Sequence, residues 1–220
     1  MCFTIIILFS IGVVESNSQA KDIDGNIYKI VKIGNQKWTA ENLNVEHYRN
    51  GDVIPQVQDK DEWSKLTTGA WCYYGINLYE ETKDICDKDK TYGKLYNWYA
   101  VNDPRGLAPK GWHIPNDSEW IELIVYLGGY GEEGAGRKMK QKTTSWLLSY
   151  EGITNSSGFS AYPGGFRTEE GYSAQGCFGY FWSSEGDSQN ACFCLLYDGG
   201  GVFRGLYNFK YGMSVRCIKN

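Results

Sequence analysis

The chain has 220 residues, of which 42% are hydrophobic and 15% aromatic, enough to build the core of one domain. Its formal net charge of −4 argues against a nucleic-acid-binding protein, because such proteins cluster lysine and arginine on one surface. The 27 glycines favour short strands joined by tight loops over long helices.

Residues 1–20 have the pattern of an export signal. An apolar run over residues 3–14 is too short to cross a membrane comfortably, and the small residues Ser18 and Ala20 follow it. We therefore expect residues 1–20 to be cleaved as a signal peptide. Residues 21–220 should then form a single secreted or surface-exposed domain without a membrane span. A buried N-terminal strand is the alternative interpretation of the apolar run.

The cysteines also indicate export. Seven cysteines are more than a reduced cytosolic protein usually has, and six remain once Cys2 is removed with the leader. An even number in an exported chain favours disulfides. Cys72 and Cys86 bracket a polar loop, and a bond between them would stabilise the fold by about 3 kcal/mol. The sequence does not choose among the pairings of the other four, Cys177, Cys192, Cys194 and Cys217.

Short strands and turns are predicted in the first half of the chain. Residues 27–33 and 36–39 are rich in β-forming residues, and Gly34-Asn35 between them is a two-residue hairpin turn. Trp63 is the predicted anchor of the irregular segment that follows. The next predicted elements are a strand over 70–74 and a helix over 93–101.

Residues 106–120 are the most informative part of the sequence. Pro109 and Pro115 fix the backbone torsion φ and remove two backbone donors, so the segment is stiff. Trp112 and His113 point to opposite sides if the segment is extended. Large aromatic side chains dominate burial energetics, so we predict that three tryptophans lie in the core: Trp98, Trp112 and Trp120.

A helix over 117–127 is predicted next. Asn116 can cap it while Glu119 reaches back to the Asn116 backbone, which is the asparagine variant of the capping box. Gly128-Gly129 follows at the position where helices commonly end. The spacing of one apolar face is helical: Trp120, Leu123, Ile124 and Leu127.

The C-terminal third is glycine-rich and β-like. A short helix is predicted over 134–141, and residues 158–167 form a turn-rich arm. Strands are predicted over residues 180–184, 191–198 and 213–218.

Six fragments in order resemble the Fibrobacter succinogenes major paralogous domain: residues 37–43, 92–98, 106–120, 158–167, 181–185 and 212–218. That family is similar to the formylglycine-generating-enzyme branch of the C-type-lectin-like fold. The resemblance implies an α+β domain with a small twisted, mostly antiparallel sheet, two main helices and long glycine-rich loops. It also implies export from a bacterial cell, to the envelope or beyond, and it carries no established enzymatic activity.

Few residues offer catalytic chemistry. His47 and His113 are the only histidines, and we expect structural hydrogen bonds from both. The formylglycine-generating enzymes hold Cu(I) between two cysteines separated by four residues. Cys192 and Cys194 lie in the matching part of this chain but are separated by one. A copper-dependent oxidase-like enzyme using these two thiols is therefore an alternative function, while our leading interpretation is not an enzyme.

Calcium-dependent sugar binding is the familiar role of C-type-lectin-like folds. Their Glu-Pro-Asn and Trp-Asn-Asp motifs are absent from this sequence. Asn102-Asp103 and Asp187 offer oxygen ligands for calcium, the one cofactor that the leading interpretation allows. Otherwise we predict no cofactor and no metal site.

Aromatic and arginine side chains crowd the C-terminal third. These residue types carry most binding hot spots, and in related lectin-like folds this region builds the ligand face. We predict that four of them share one exposed ligand-binding patch: Arg167, Tyr172, Arg204 and Tyr207. The leading interpretation is a non-catalytic, secreted or cell-surface module that binds a glycan or a protein at the cell exterior. A structural envelope or matrix protein is a further alternative.

Overall fold

The computed structural model of the protein describes residues 19–75, 91–147, 152–187, 190–196 and 200–220, with the backbone alone for 190–196. Most of the predicted signal peptide, Cys86 and the end of the predicted strand 191–198 therefore lie outside the described residues. The structure does not test the predictions made for these residues.

The described residues form fourteen strands and four helices, a mixed α+β fold built on antiparallel sheets. The helices are α1 (Lys60–Ser64), α2 (Trp98–Val101), α3 (Asp117–Tyr126) and α4 (Ala135–Met139). The strands are β1 (Ala20–Lys21), β2 (Ile27–Tyr28), β3 (Ile30–Ile33), β4 (Gln36–Thr39), β5 (Trp71–Cys72), β6 (Leu95–Asn97), β7 (Trp112–His113), β8 (Phe166–Arg167), β9 (Tyr172–Ser173), β10 (Gly179–Gly186), β11 (Asn190–Leu196), β12 (Val202–Asn208), β13 (Gly212–Met213) and β14 (Ile218–Lys219).

Three sheets organise the domain, beside the small β1–β2 pair. Their strand orders are β3-β4-β14-β7, β5-β6-β13-β8-β9 and β10-β11-β12. The predicted single strand over 213–218 is therefore wrong: β13 and β14 are separate strands in different sheets. The turn between them buries Arg216, whose guanidinium donates to the carbonyl oxygens of Thr39 and Phe159. These bonds fix the segment that passes from the sheet of β13 to the sheet of β14.

Strand β10 separates two cores. Its neighbouring residues Phe181 and Trp182 are both fully buried, although adjacent strand side chains point to opposite faces. Phe181 packs with Trp120 in one core, and Trp182 packs with Tyr96 in the other. The sequence predicts a core position for only one of the two, because it does not show that both faces of this strand are covered.

Helix α3 begins and ends close to its predicted bounds. The Asn116 side chain accepts from the Glu119 backbone at 2.9 Å, and the Glu119 carboxylate accepts from the Asn116 backbone at 2.8 Å. Both halves of the capping box are therefore formed. Trp120 on its inner face packs against Trp38, with ring centroids 4.9 Å apart. This helix closes one side of the core around Phe181.

The predicted helix over 93–101 is wrong in its first half. Residues Leu95–Asn97 form β6, and only Trp98–Val101 is helical. Asn97 is the reason, because its side chain accepts from the Ala100 backbone at 3.0 Å and starts the helix there. The Asn97 amide also donates to the carbonyl oxygen of Thr68 at 2.8 Å, which ties the cap to the preceding loop.

The predicted tryptophan anchors are buried. Trp98 is 8% exposed, Trp112 is 5% exposed and Trp120 is 1% exposed. Trp63 is also fully buried, and its indole nitrogen donates to the carbonyl oxygen of Lys210 at 2.7 Å. The irregular segment after β4 is therefore fixed to the C-terminal part of the chain.

Candidate functional site

The four residues predicted to share one exposed patch lie in three separate surroundings. Arg167 and Tyr172 are paired across β8 and β9. Arg204 points toward the start of α3, and Tyr207 lies in a cluster of aromatic rings. The predicted single patch is therefore wrong, and each place has a different physical character.

Arg167 is buried, with 1% of its surface exposed, so its predicted exposure is wrong. Its guanidinium lies 4.2 Å from the Trp63 ring and 4.9 Å from the Tyr172 ring. It donates at 2.8–3.1 Å to three successive carbonyl oxygens, those of Val57, Gln58 and Asp59. These bonds make Arg167 a structural anchor for the loop before α1.

Tyr172 is committed to the same anchor. Its hydroxyl accepts from Arg167 at 3.0 Å and from the Gln58 amide at 2.7 Å. Burial raises the pKa of Tyr172, which keeps the phenol neutral. Its ring lies 5.1 Å from the ring of Tyr74. The side chain is partly exposed, but its polar atom is already satisfied by the protein.

Arg204 lies on β12, in the three-stranded sheet. It forms an ion pair with Asp117 at the start of α3 and donates to the Tyr130 hydroxyl at 3.3 Å. A carboxylate in the first turn of a helix is itself favoured by the helix dipole, so Asp117 is a suitable partner. The pair fixes β12 to α3 and does not adjoin Tyr207.

Tyr207 belongs to a larger, partly exposed cluster of five aromatic rings, which we call the tyrosine face. The Phe166 ring lies 4.4 Å from Tyr180 and 5.9 Å from both Tyr207 and Tyr211, and Tyr207 lies 5.1 Å from Tyr211. Phe178 extends the cluster beside Tyr180, at 6.1 Å. Tyr180 is buried and the other four rings are partly exposed.

The hydrophobic cluster that contains the tyrosine face also includes Trp98 and Phe209, whose stacked rings have centroids 4.1 Å apart. The Trp98 indole donates to the carbonyl oxygen of Ser183. Burial and the neighbouring Tyr207 both raise the pKa of Tyr180. Tyr180 therefore stays neutral at physiological pH.

Two members of the tyrosine face were missed by the sequence argument. Phe166 comes from β8 and Tyr211 from the turn after β12, so neither lies on the strand that carries Tyr207. A pattern within one strand could not connect them. The turn-rich arm over 158–167 was a partial signal, because it ends in Phe166 and Arg167 on opposite faces of β8.

Both histidines make structural hydrogen bonds. His113 contacts Asn220 at 2.7 Å through Nδ1 and Glu119 at 2.8 Å through Nε2. His47 contacts Asp24 at 2.5 Å through Nδ1. These contacts tie the chain's C-terminal residue to α3 and the loop after β4 to the turn after β1.

Of the residues considered as metal ligands, Asp103 has another partner, and the side chains of Cys192 and Cys194 are not described. Among the described residues, no three His, Cys, Asp or Glu side chains are grouped to hold a metal ion. The Asp103 carboxylate, considered for calcium, is paired with the Arg105 guanidinium at 2.8 Å. The side chains of Cys192 and Cys194 lie outside the described part, so the proposed copper pair stays an alternative.

Among the cysteines whose side chains the structure describes, Cys72, Cys177 and Cys217 form no disulfide with one another. Cys72 is buried beside the Arg167 anchor, and its predicted partner Cys86 lies outside the described residues. The Cys72–Cys86 bond therefore has no support from the structure and stays a prediction.

Comparison with known proteins gives the family. No curated protein and no solved structure matches the chain. No helix in the described ranges is both long and apolar enough to cross a membrane. The family model of the Fibrobacter succinogenes major domain matches residues 31–219, which is most of the sequence. The chain therefore belongs to the Fibrobacter succinogenes major domain family.

Proposed function

We propose that the protein is a non-catalytic binding module that recognises a glycan or a protein through the tyrosine face. The observation that carries this proposal is the contiguous set of five aromatic rings, four of them partly exposed, contributed by four segments of the chain. Aromatic side chains are enriched where proteins bind partners, since they present much apolar area at a low conformational cost. Contacts among the rings themselves hold them in place and lower the conformational cost of binding.

The fold and location that we propose with it are those of a C-type-lectin-like domain outside a bacterial cell. Antiparallel sheets, few helices and long loops agree with that fold, in which ligands are bound by loops and strands of the C-terminal half. The N-terminal leader would direct export and would be cleaved from the exported protein. Mass spectrometry of the natively exported protein should find a new N-terminus between about residues 17 and 22. A cytoplasmic protein that retains Met1 would refute export.

A binding screen tests the function. The purified protein would be applied to a glycan array and to a panel of bacterial surface proteins, beside a Tyr207→Ala, Tyr211→Ala double variant. We expect the double variant to keep its fold and to lose at least about tenfold in affinity, or about 1.4 kcal/mol. Tyr126→Ala is the matched control, because Tyr126 is 64% exposed on α3 and outside the tyrosine face.

The screen also defines failure. Equal binding by the wild type and the double variant would place the ligand surface elsewhere, most plausibly in the irregular segment 45–68. Unfolding of the double variant would assign these tyrosines to the core. Absence of any glycan or protein ligand would favour the structural envelope role.

A further inference from the structure

A cleft of about 240 Å³ lies where three segments of the chain meet. Residues 21–23 form one wall, residues 45–49 contribute a second and residues 107–110 form the third. The third wall belongs to the stiff segment 106–120, which the tyrosine face does not use. Small-molecule pockets usually have volumes of about 300–1,000 Å³, so this cleft suits a ligand of about one ring.

The floor of the cleft is apolar. Val45 is 1% exposed, and Leu107 and Ala108 are each 3% exposed. Pro109 beside them is also buried, and its ring fixes the backbone of this wall. The apolar body of a ligand could therefore lie against this floor.

Arg49 is held in place at the edge of this floor. Its Nε donates to the carbonyl oxygen of Ala108 at 3.0 Å, and its Nη2 approaches that of Trp112 at 3.4 Å. Gly106 makes room for it, because a Cβ there would lie 3.1 Å from the guanidinium carbon. A guanidinium has five N–H donors, and the described residues accept from two of them. Arg49 is therefore a fixed cation with donors to spare.

Two exposed lysines add positive charge to the rim. Neither Lys21 nor Lys110 has an ion-pair partner among the residues that the structure describes. The nearby carboxylates are turned to other partners. Asp22 accepts from the Tyr28 hydroxyl at 2.6 Å, and Asp24 is paired with His47. The cleft thus has three cations without an ion-pair partner among the described residues, against one lining carboxylate, that of Asp22, which accepts from the neutral donors of Asn26 and Tyr28.

We propose that this cleft binds a small organic carboxylate. The Arg49 fork and the ammonium groups of Lys21 and Lys110 hold the carboxylate, and the apolar body lies on Leu107 and Ala108. Arginine matches a carboxylate with two parallel hydrogen bonds, and a partly desolvated site strengthens them. This binding site is separate from the tyrosine face and does not depend on the function proposed for it.

Titration followed by amide chemical shifts tests the proposal. The probes are benzoate and glucuronate, with benzamide and glucose as their neutral counterparts. We expect at least one carboxylate to shift the Leu107, Ala108 and Lys110 amides in a saturable way, while its neutral counterpart does not. The two carboxylates distinguish an apolar acid from a sugar acid as the preferred ligand.

Charge-removing variants locate the binding. Lys21→Gln with Lys110→Gln should weaken the carboxylate by about tenfold, and Arg49→Gln should weaken it further. Lys142→Gln is the matched control, because Lys142 is exposed and does not line the cleft. The lysine double variant keeps the test valid if Arg49→Gln does not fold. Equal response to benzoate and benzamide, no saturable shift, or unchanged binding by the double lysine variant would overturn the proposal.

Discussion

The surroundings of Arg167 and of Arg49 use the same side chain for different purposes. Both guanidiniums donate to backbone carbonyl oxygens of a neighbouring loop. Arg167 is 1% exposed, lies between two aromatic rings and reaches three carbonyl oxygens and a hydroxyl. Arg49 is exposed, has no ring above it and reaches two carbonyl oxygens beside an open cleft.

The difference shows how an arginine can be assigned to scaffold or to binding. Arg167 uses most of its donors inside the protein, although its Nε has no partner among the described residues, and its surface is covered. Removing such a side chain leaves carbonyl groups without their partners. When an arginine is exposed and keeps unused N–H donors, as Arg49 does, removing it changes which ligands the surface can bind. Arg216 falls in the first class, with four hydrogen bonds and full burial. Burial lowers the pKa of Arg216 to about 9, so it stays charged at neutral pH.

The largest expected effect belongs to neither region but to the core around Phe181, which serves as the reference for both. Trp120→Ala should lower the free energy of unfolding by about 3–5 kcal/mol, because it empties the space against Trp38, Phe159 and Phe181. Denaturant melts would measure it. A loss under about 1 kcal/mol would mean that this indole is not buried in solution.

Arg167→Ala should rank next, with a loss of about 2–4 kcal/mol. It leaves the carbonyl oxygens of Val57 and Gln58 without their donor, while that of Asp59 keeps the Trp63 backbone N–H. It also removes the cation between the rings of Trp63 and Tyr172. Arg167→Lys should recover little of the loss, because an ammonium cannot reproduce the planar fork. Arg49→Ala is the matched comparison and should cost less than about 1 kcal/mol in the same melts. Equal losses for both alanine variants would remove the distinction between the two regions.

A smaller loss of stability is expected at low pH, where the pair between Asp24 and His47 is broken. Burial raises the pKa of Asp24, but hydrogen bonds from Glu46 and His47 outweigh it and hold this pKa below the ordinary value of 3.8. The Asp24 carboxylate therefore stabilises the fold above pH 3.8, and the contribution is lost as pH falls through its folded-state pKa. Urea melts from neutral pH to pH 3 should show a shallower decline for Asp24→Asn than for the wild type. Parallel curves would contradict the assignment.

The smallest effect is a difference in thiol reactivity. Burial raises the pKa of Cys217 to about 12, opposed by the charge of Arg216, and it also raises the pKa of Cys72. Alkylation of folded protein should therefore label the partly exposed Cys177 well before Cys217. Peptide mapping would compare the two, and the same map made without reduction would decide whether Cys72 is linked to Cys86. Labelling Cys217 as fast as Cys177 would show that its surroundings open readily.

The sequence predicts local features well and long-range ones poorly. The capping box of α3 was predictable because Asn116 and Glu119 are three residues apart and satisfy each other. The burial of Arg167 was not, since its partners are the carbonyl oxygens of residues 57–59, far away in the chain. Aromatic content indicated a binding surface, but only the sheet pairing shows which rings meet.

The cleft illustrates the same limit. The stiffness of residues 106–120 follows from Pro109 and Pro115 alone. That Leu107 and Ala108 form a floor beside Arg49 depends on Gly106, which lets the guanidinium approach the backbone. A glycine in the sequence indicates that another group can approach the backbone closely, but it does not identify that group.

The most direct test of the central claim is a footprint of the tyrosines with and without the ligand found in the screen. Hydroxyl-radical labelling followed by mass spectrometry reports the solvent exposure of each ring. Ligand should protect Tyr207 and Tyr211 and leave Tyr126 on α3 fully reactive. Protection of Tyr126, with Tyr207 and Tyr211 labelled as in the free protein, would contradict a binding surface at the tyrosine face.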